Sequence, residues 1–296
     1  MTAQATGGAN GSSGVVRREL APQTGWPAKA SLFGVDVSTT TYDEATEEII
    51  ASAHARRGAC VSALAVHGVM TAAGDASFAA MLNRFELVVP DGQPVRYALN
   101  WLHRAGLPDR VYGPELTLRV CARAAQEGIG VFLYGSSPAV VTALAERLKG
   151  RFPTLRIVGR EPSLFRPLTA SEDDELVGRI NESGAGIVFV GLGCPLQEKF
   201  ASDHRDRVAA VQICVGAAFD FHAGTKPMAP QWMQRASLEW LFRLLHEPRR
   251  LWKRYALTNS AFVVRLAREL VLGTRGSGVL TGGPRSGPVD SSRDIS

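Results

Sequence analysis

The stretch IVFVGLGCPLQEKF, residues 187–200, changes character at its centre. Ile187 to Val190 is an unbroken run of β-branched and aromatic residues, the composition of a strand buried on both faces. Gly191 and Gly193 end the run, and Pro195 stands where the first turn of a helix tolerates a residue without an N–H. A strand passing through a glycine turn directly into a helix is the repeating unit of an α/β sheet.

The same alternation extends in both directions. Strands are expected at Leu32–Val37, Val61–Val66, Leu87–Val89, Val131–Tyr134, Leu155–Val158, Ile187–Val190 and Val211–Val215. Between them lie helical patterns at Tyr42–Ala55, Val69–Leu82, Pro94–His103, Pro114–Gln126, Ala139–Arg151, Ser171–Glu182 and Gln197–Arg207. The expected fold is α/β with a mostly parallel sheet, whose ligands gather at the carboxyl ends of the strands. After Phe221 the alternation stops. Gln231–Leu245 and Pro248–Leu272 read as long helices with no strand between them, a helical appendage on an α/β body. The organisation is then a tail over 1–30, a body over 31–230, an appendage over 231–272 and a second tail over 273–296. Both tails are too rich in Gly, Ser, Thr and Ala or Pro to bury a core and are expected to be disordered.

The chain has 296 residues, 45% apolar and 21% charged, and a net charge of +5. These values suit a globular protein and exclude a disulfide scaffold or a fibre. An excess of five charges over this length does not argue for nucleic acid. The cysteines, Cys60, Cys121, Cys194 and Cys214, form no CxxC pair and suit buried free thiols of a reducing compartment. No secretory h-region and no apolar run long enough to cross a bilayer is visible, so a cytoplasmic protein is expected. The charge is nevertheless local. Arg235, Arg243, Arg249, Arg250, Lys253 and Arg254 stand against Glu239 and Glu247, which places +4 within about twenty residues, interleaved with Trp240, Phe242, Trp252 and Tyr255. That mixture suits phosphate or an anionic membrane surface, and equally a solvated helix face.

Several strand ends carry chemistry. Asp91, in VVPDGQ, is a carboxylate between a strand and a helix, where a general base works and where a turn or N-cap Asp also sits. Gly191 and Gly193 permit close approach of a ligand to the backbone, but Leu196 occupies the third glycine position of a dinucleotide fingerprint. Cys194, at a helix start, is placed for thiolate activation but lacks a His beside it in sequence. Gly135 and Ser136, in LYGSSP, could hold a phosphate or ribose or simply make a turn. Arg110, before a Pro-started helix, could reach a pyrophosphate or form a surface ion pair. Asp220 and His222 are too few for a metal site.

In order along the chain, PDGQPVRYAL, DRVYGPEL, FVGLGCPLQEKF, VGAAFDFHAG and APQWMQRASLEWLFRLLHEPRRLWKRY resemble the WecG/TagA/CpsF family of bacterial glycosyltransferases. The resemblance spans about Phe33 to Asn259. It implies a Rossmann-like body and an inverting, metal-independent enzyme that moves a sugar from a UDP-sugar to an undecaprenyl-diphosphate-linked saccharide at the inner face of the cytoplasmic membrane, with no cofactor. The products of such enzymes feed teichoic acid linkage units, enterobacterial common antigen or exopolysaccharides. By resemblance Asp91 matches the base and Arg110 a site arginine. Gln197 matches a donor-pocket residue, with Gly191, Gly193 and Glu198 beside it, and Arg243, Arg250 and Lys253 or Arg254 match basic residues near the diphosphates. One departure is Ala65-Val66-His67, where many members carry Thr-x-Asn. His67 either replaces the Asn as a hydrogen-bonding or proton-handling group or serves as a cap, and the change leaves the donor open among UDP-N-acetylmannosamine, UDP-glucose and a uronic-acid donor. It also sustains a second reading, a nucleotide-binding scaffold or regulator that has lost catalysis. An apolar sheet edge or the appendage could pair subunits into a homo-oligomer.

Overall fold

The computed structural model describes residues 25–272. The tail expected over 273–296, and the one over 1–30 except for its last residues, lie outside them. Among the described residues a six-stranded sheet has the order β4-β3-β8-β7-β5-β6, and every pairing in it is parallel. Its strands are β3 (Ala59–Leu64), β4 (Leu87–Pro90), β5 (Gly130–Gly135), β6 (Arg156–Glu161), β7 (Ile187–Gly191) and β8 (Val211–Cys214). Because all run the same way, the ends at Leu64, Pro90, Gly135, Gly191 and Cys214 share one edge. Two apolar clusters cover the two faces, one including Val188, Val190, Cys60 and Val88, the other Ile187, Phe189, Val61 and Leu87. This two-sided burial is why the central strands read as continuous apolar runs rather than alternating ones.

The first expected strand, Leu32–Val37, is corrected by the structure. It is an antiparallel hairpin of β1 (Lys29–Leu32) and β2 (Val35–Ser38), separate from the main sheet. Phe33 and Gly34 turn it, with φ of 58° and 92°. Helices α1 (Tyr42–His54), α2 (Val66–Gly74), α3 (Ala76–Asn83), α4 (Gln93–His103), α5 (Gly113–Glu127), α6 (Pro138–Arg151), α7 (Ala170–Glu182) and α8 (Leu196–Asp203) follow the strands. The expected helix Val69–Leu82 is two helices, because the Asp75 carboxylate accepts from the amides of Ser77 and Phe78 and starts α3 afresh. A short helix α9 (Ala218–Ala223) follows β8.

The C-terminal part is helical throughout. Its expected first helix is divided at Ser237, with φ of 60°, into α10 (Gln231–Arg235) and α11 (Glu239–His246); α12 (Pro248–Leu272) follows. Leu251, Phe262 and Leu266 of α12 are buried. Phe262 meets Phe33 of the hairpin turn edge-on at 5.3 Å between ring centres. The appendage thus shares the core of the body.

Candidate active site at the carboxyl ends of the strands

The Asp91 amide donates to the Leu64 carbonyl at 3.3 Å, tying the ends of β4 and β3 together. Its Oδ1 accepts from the Gly113 amide at 2.5 Å, at the start of α5. The fit at position 113 is tight, since a Cβ there would stand 3.0 Å from the Ala63 Cβ and 3.4 Å from Oδ1. Desolvation pushes the Asp91 carboxyl up to about 6; Arg110, the Gly113 amide and Arg243 pull it down, and Glu239 adds to the rise. A carboxylate of that basicity is mostly ionised at neutral pH and matched to removing a proton. Asp91 is therefore not an N-cap: α4 begins after Gly92 without any side-chain cap.

Arg110 is buried rather than on the surface, which corrects the surface ion pair expected as one of its uses. Its Nη2 donates to Glu239 Oε2 at 2.8 Å and more weakly to Gln234 Oε1 at 3.4 Å. The guanidinium stacks over the Tyr112 ring at 4.1 Å. The Tyr112 hydroxyl donates to Glu239 Oε1 at 3.0 Å, and its amide donates to the Tyr42 hydroxyl at 3.0 Å. Glu239, Tyr112, Gln234 and Tyr42 did not stand out in the sequence as site residues. One signal was present: Glu239 is the lone acid of an apolar and basic helix, one turn before Arg243. The Arg243 guanidinium rests over the Phe221 ring at 5.0 Å. Burial works against its charge, and Tyr255, Glu239, Tyr112 and Asp91 outweigh that burial. Arg250 and Arg254 fall in the first turns of α12, and their side chains lie outside the described residues.

The second set of residues braces the loop after β7. Gln197 Oε1 accepts from the Gly193 amide at 3.2 Å, and its Nε2 donates to Glu198 Oε1 at 2.9 Å. The same Glu198 oxygen accepts from the Ser62 hydroxyl of β3 at 3.0 Å. Glu198 is fully buried. Burial raises its pKa against the hydrogen bonds of Gln197 and Ser62. Gln197 also lies against Gly216, where a Cβ would come 3.2 Å from its Oε1. Gly135 and Gly191 are register partners, and a Cβ on Gly135 would come 2.7 Å from the Gly191 carbonyl carbon. The Ser136 amide donates to the Gly191 carbonyl at 3.1 Å, and the N-cap of α6 is Ser137.

His67 lies in the first turn of α2, partly exposed, and the N-cap position of that helix is Ala65 rather than His67. The 65–67 segment reaches the Asp91 loop, since a Cβ on Gly92 would lie 4.0 Å from both the Ala65 Cα and the Val66 amide nitrogen. Asp220 and His222 are separated by their partners. Asp220 pairs with Lys226 at 3.3 Å, and the His222 Nε2 meets the Pro114 carbonyl at 2.8 Å. Cys60, Cys121 and Cys214 are buried free thiols and Cys194 is partly exposed. Beside the Asp91 loop, a groove of about 570 Å³ opens between Val66, Pro94, Trp240, Leu244, Trp252 and Tyr255 and the following turns of α12.

The structure thus gathers Asp91, Arg110 and Arg243 at one place, with His67 in the neighbouring first turn of α2 and the Gln197–Glu198 brace adjoining through β8. A family model described as glycosyl transferase, WecG/TagA/CpsF family, matches residues 30–276. The chain belongs to the WecG/TagA/CpsF glycosyltransferase family. The family match covers the α/β body and the whole described appendage together, which agrees with a site that takes Asp91 from one and Arg243 from the other. Glycosyl transfer is the role this membership supports.

Proposed function

We propose that the chain transfers a sugar from a UDP-sugar to an undecaprenyl-diphosphate-linked saccharide, with inversion and without a metal ion, in exopolysaccharide or cell-surface glycopolymer synthesis. The observation that carries this reading is the Asp91 carboxylate, desolvated and raised to about 6, beside two guanidinium groups at the shared end of the strands. Asp91 takes the proton of the acceptor hydroxyl as that oxygen forms its bond to the anomeric carbon. The bond from that carbon to the UDP oxygen breaks on the opposite face, and UDP leaves with the electron pair. Arg110 and Arg243 oppose the charge that grows on the diphosphate, a task that otherwise falls to a metal cation.

The lipid-linked acceptor fits the appendage. No helix among the described residues is long and apolar enough to cross a membrane. Trp232, Trp240, Trp252 and Leu257 are nevertheless exposed beside Arg249 and Lys253. Exposed indoles among cations suit the interface of an anionic bilayer, consistent with peripheral attachment at the inner face of the cytoplasmic membrane. With His67 in the place of the family Asn, the donor is left as a UDP-sugar of unassigned hexose.

The test is UDP release by the purified full-length chain, measured over a panel of UDP-sugars with extracted lipid-linked acceptors, with and without EDTA. The expected result is acceptor-dependent UDP release with one donor that EDTA leaves intact. Activity lost to EDTA and restored by magnesium would refute the metal-free reading, and no release with any donor would favour a scaffold.

A further inference from the structure

The buried carboxylate of Glu239 joins the appendage to the body within reach of the Asp91 charge. Both its oxygens are committed, Oε2 to Arg110 at 2.8 Å and Oε1 to the Tyr112 hydroxyl at 3.0 Å. Those partners precede and open α5, at the segment whose Gly113 amide holds Asp91. Glu239 begins α11, and Arg243 is four residues on, so the two side chains share one face of that helix. Fixing Glu239 on the body therefore fixes where Arg243 stands. The same bond turns Arg110 Nη2 toward Glu239 and Gln234.

We propose that Glu239 is a positioning residue for glycosyl transfer: it seats α11 on the body so that Arg243 faces Asp91, and it holds Arg110 off the Asp91 carboxylate. The proposal rests on the reading of Asp91 as the base. A buried ion pair offered for stability alone is a weak device, because well-packed apolar residues often do as well. Here the pair sits where its geometry sets the surroundings of the reacting carboxylate. The groups facing Asp91 are Arg110, Tyr112 and the Gly113 amide around the start of α5, Tyr42 of α1, and Glu239 and Arg243 of α11. Glu239 is the anion among the neighbours that raise the Asp91 pKa.

The test is a ¹³C NMR titration of the aspartate carboxyl carbons in the full chain, with D91N assigning the Asp91 signal, together with amide hydrogen exchange in α11. Neither requires the donor to be known. In Glu239→Gln a negative charge is removed and Arg110 is released toward Asp91. Both effects favour the ionised carboxylate, while Arg243 leaving with α11 opposes them; in an Arg243→Gln background, which takes out that opposing change, Glu239→Gln is therefore expected to lower the Asp91 midpoint by at least about half a unit. The α11 amides are expected to exchange faster in Glu239→Gln and in Tyr112→Phe, which keeps the charge but loses one bond of the seat; Tyr112→Phe decides the matter if Glu239→Gln does not fold. A midpoint that Glu239→Gln leaves unmoved in the Arg243→Gln background, or α11 amides exchanging at the wild-type rate in both Glu239→Gln and Tyr112→Phe, would overturn the proposal. A wild-type Asp91 titrating near the ordinary value of about 3.9 would instead remove the basis for Asp91 as the base.

Discussion

Asp91 is held in its site against its own solvation, and this has opposite consequences for activity and stability. Its carboxyl is raised to about 6 by burial. Only the ionised form removes a proton, so kcat/KM is expected to fall as pH drops through about 6, with a slope of one; a pH–rate profile flat from pH 8 to 5 would exclude Asp91 as the titrating base. In the unfolded chain the same group titrates near 3.9. The folded state therefore binds this proton more tightly, and the stability tied to it is fully present below 3.9 and lost as pH rises through 6. At pH 8 the loss is on the order of 2–3 kcal/mol. Asp91→Asn should melt several degrees higher than the wild type at pH 8, and calorimetry should show the gap closing near pH 4. At this scale the sequence was legible where function follows from strand position. Asp91 stands at a strand–helix junction that marks it, and Arg110 stands just before the Pro-started helix α5. Glu239 was not legible as a site residue, because its partners Arg110 and Tyr112 are 129 and 127 positions away. In sequence it is one acid among cations; only folding makes it a bridge.

At the scale of elements, the central strands were legible because burial on both faces leaves a continuous apolar run, and their ends because glycine or proline follows. The misreadings all arose where one local interaction cuts an apolar pattern. Phe33-Gly34 folds Leu32–Val37 into a hairpin, Asp75 caps a new helix inside Val69–Leu82, and Ser237 divides the first appendage helix. Gly34 and the Gly74-Asp75 pair were readable turn and cap signals, whereas nothing about Ser237 distinguishes it from a helical serine. The glycines at the strand ends carry the tightest constraint. Gly135 has a φ of 120° and lies against the Gly191 backbone. Gly135→Ala is expected to part the ends of β5 and β7 and to cost on the order of 2 kcal/mol or more. Chemical denaturation measures this, and a midpoint equal to the wild type would show that the ends have room to move.

At the scale of the molecule, the proposed mechanism takes its base from the α/β body and Arg243 from the appendage, so on that reading the site is complete only when α11 is seated. The small net charge of the chain is concentrated where that appendage carries exposed Trp240 and Trp252. If these indoles anchor the protein, Trp240→Ala with Trp252→Ala should lower flotation with anionic vesicles several-fold while the melting temperature stays within a few degrees; unchanged flotation would assign the aromatic face another purpose. The central claim is that Asp91 is the base of a glycosyl transfer. Its most direct test is the mass of the lipid-linked product formed by the wild type and by Asp91→Asn, with the donor that the UDP-release panel identifies. The account predicts a gain of one sugar in the wild type and a rate at least about a hundredfold lower in the variant, which stays folded. Product formed by Asp91→Asn at the wild-type rate would contradict it.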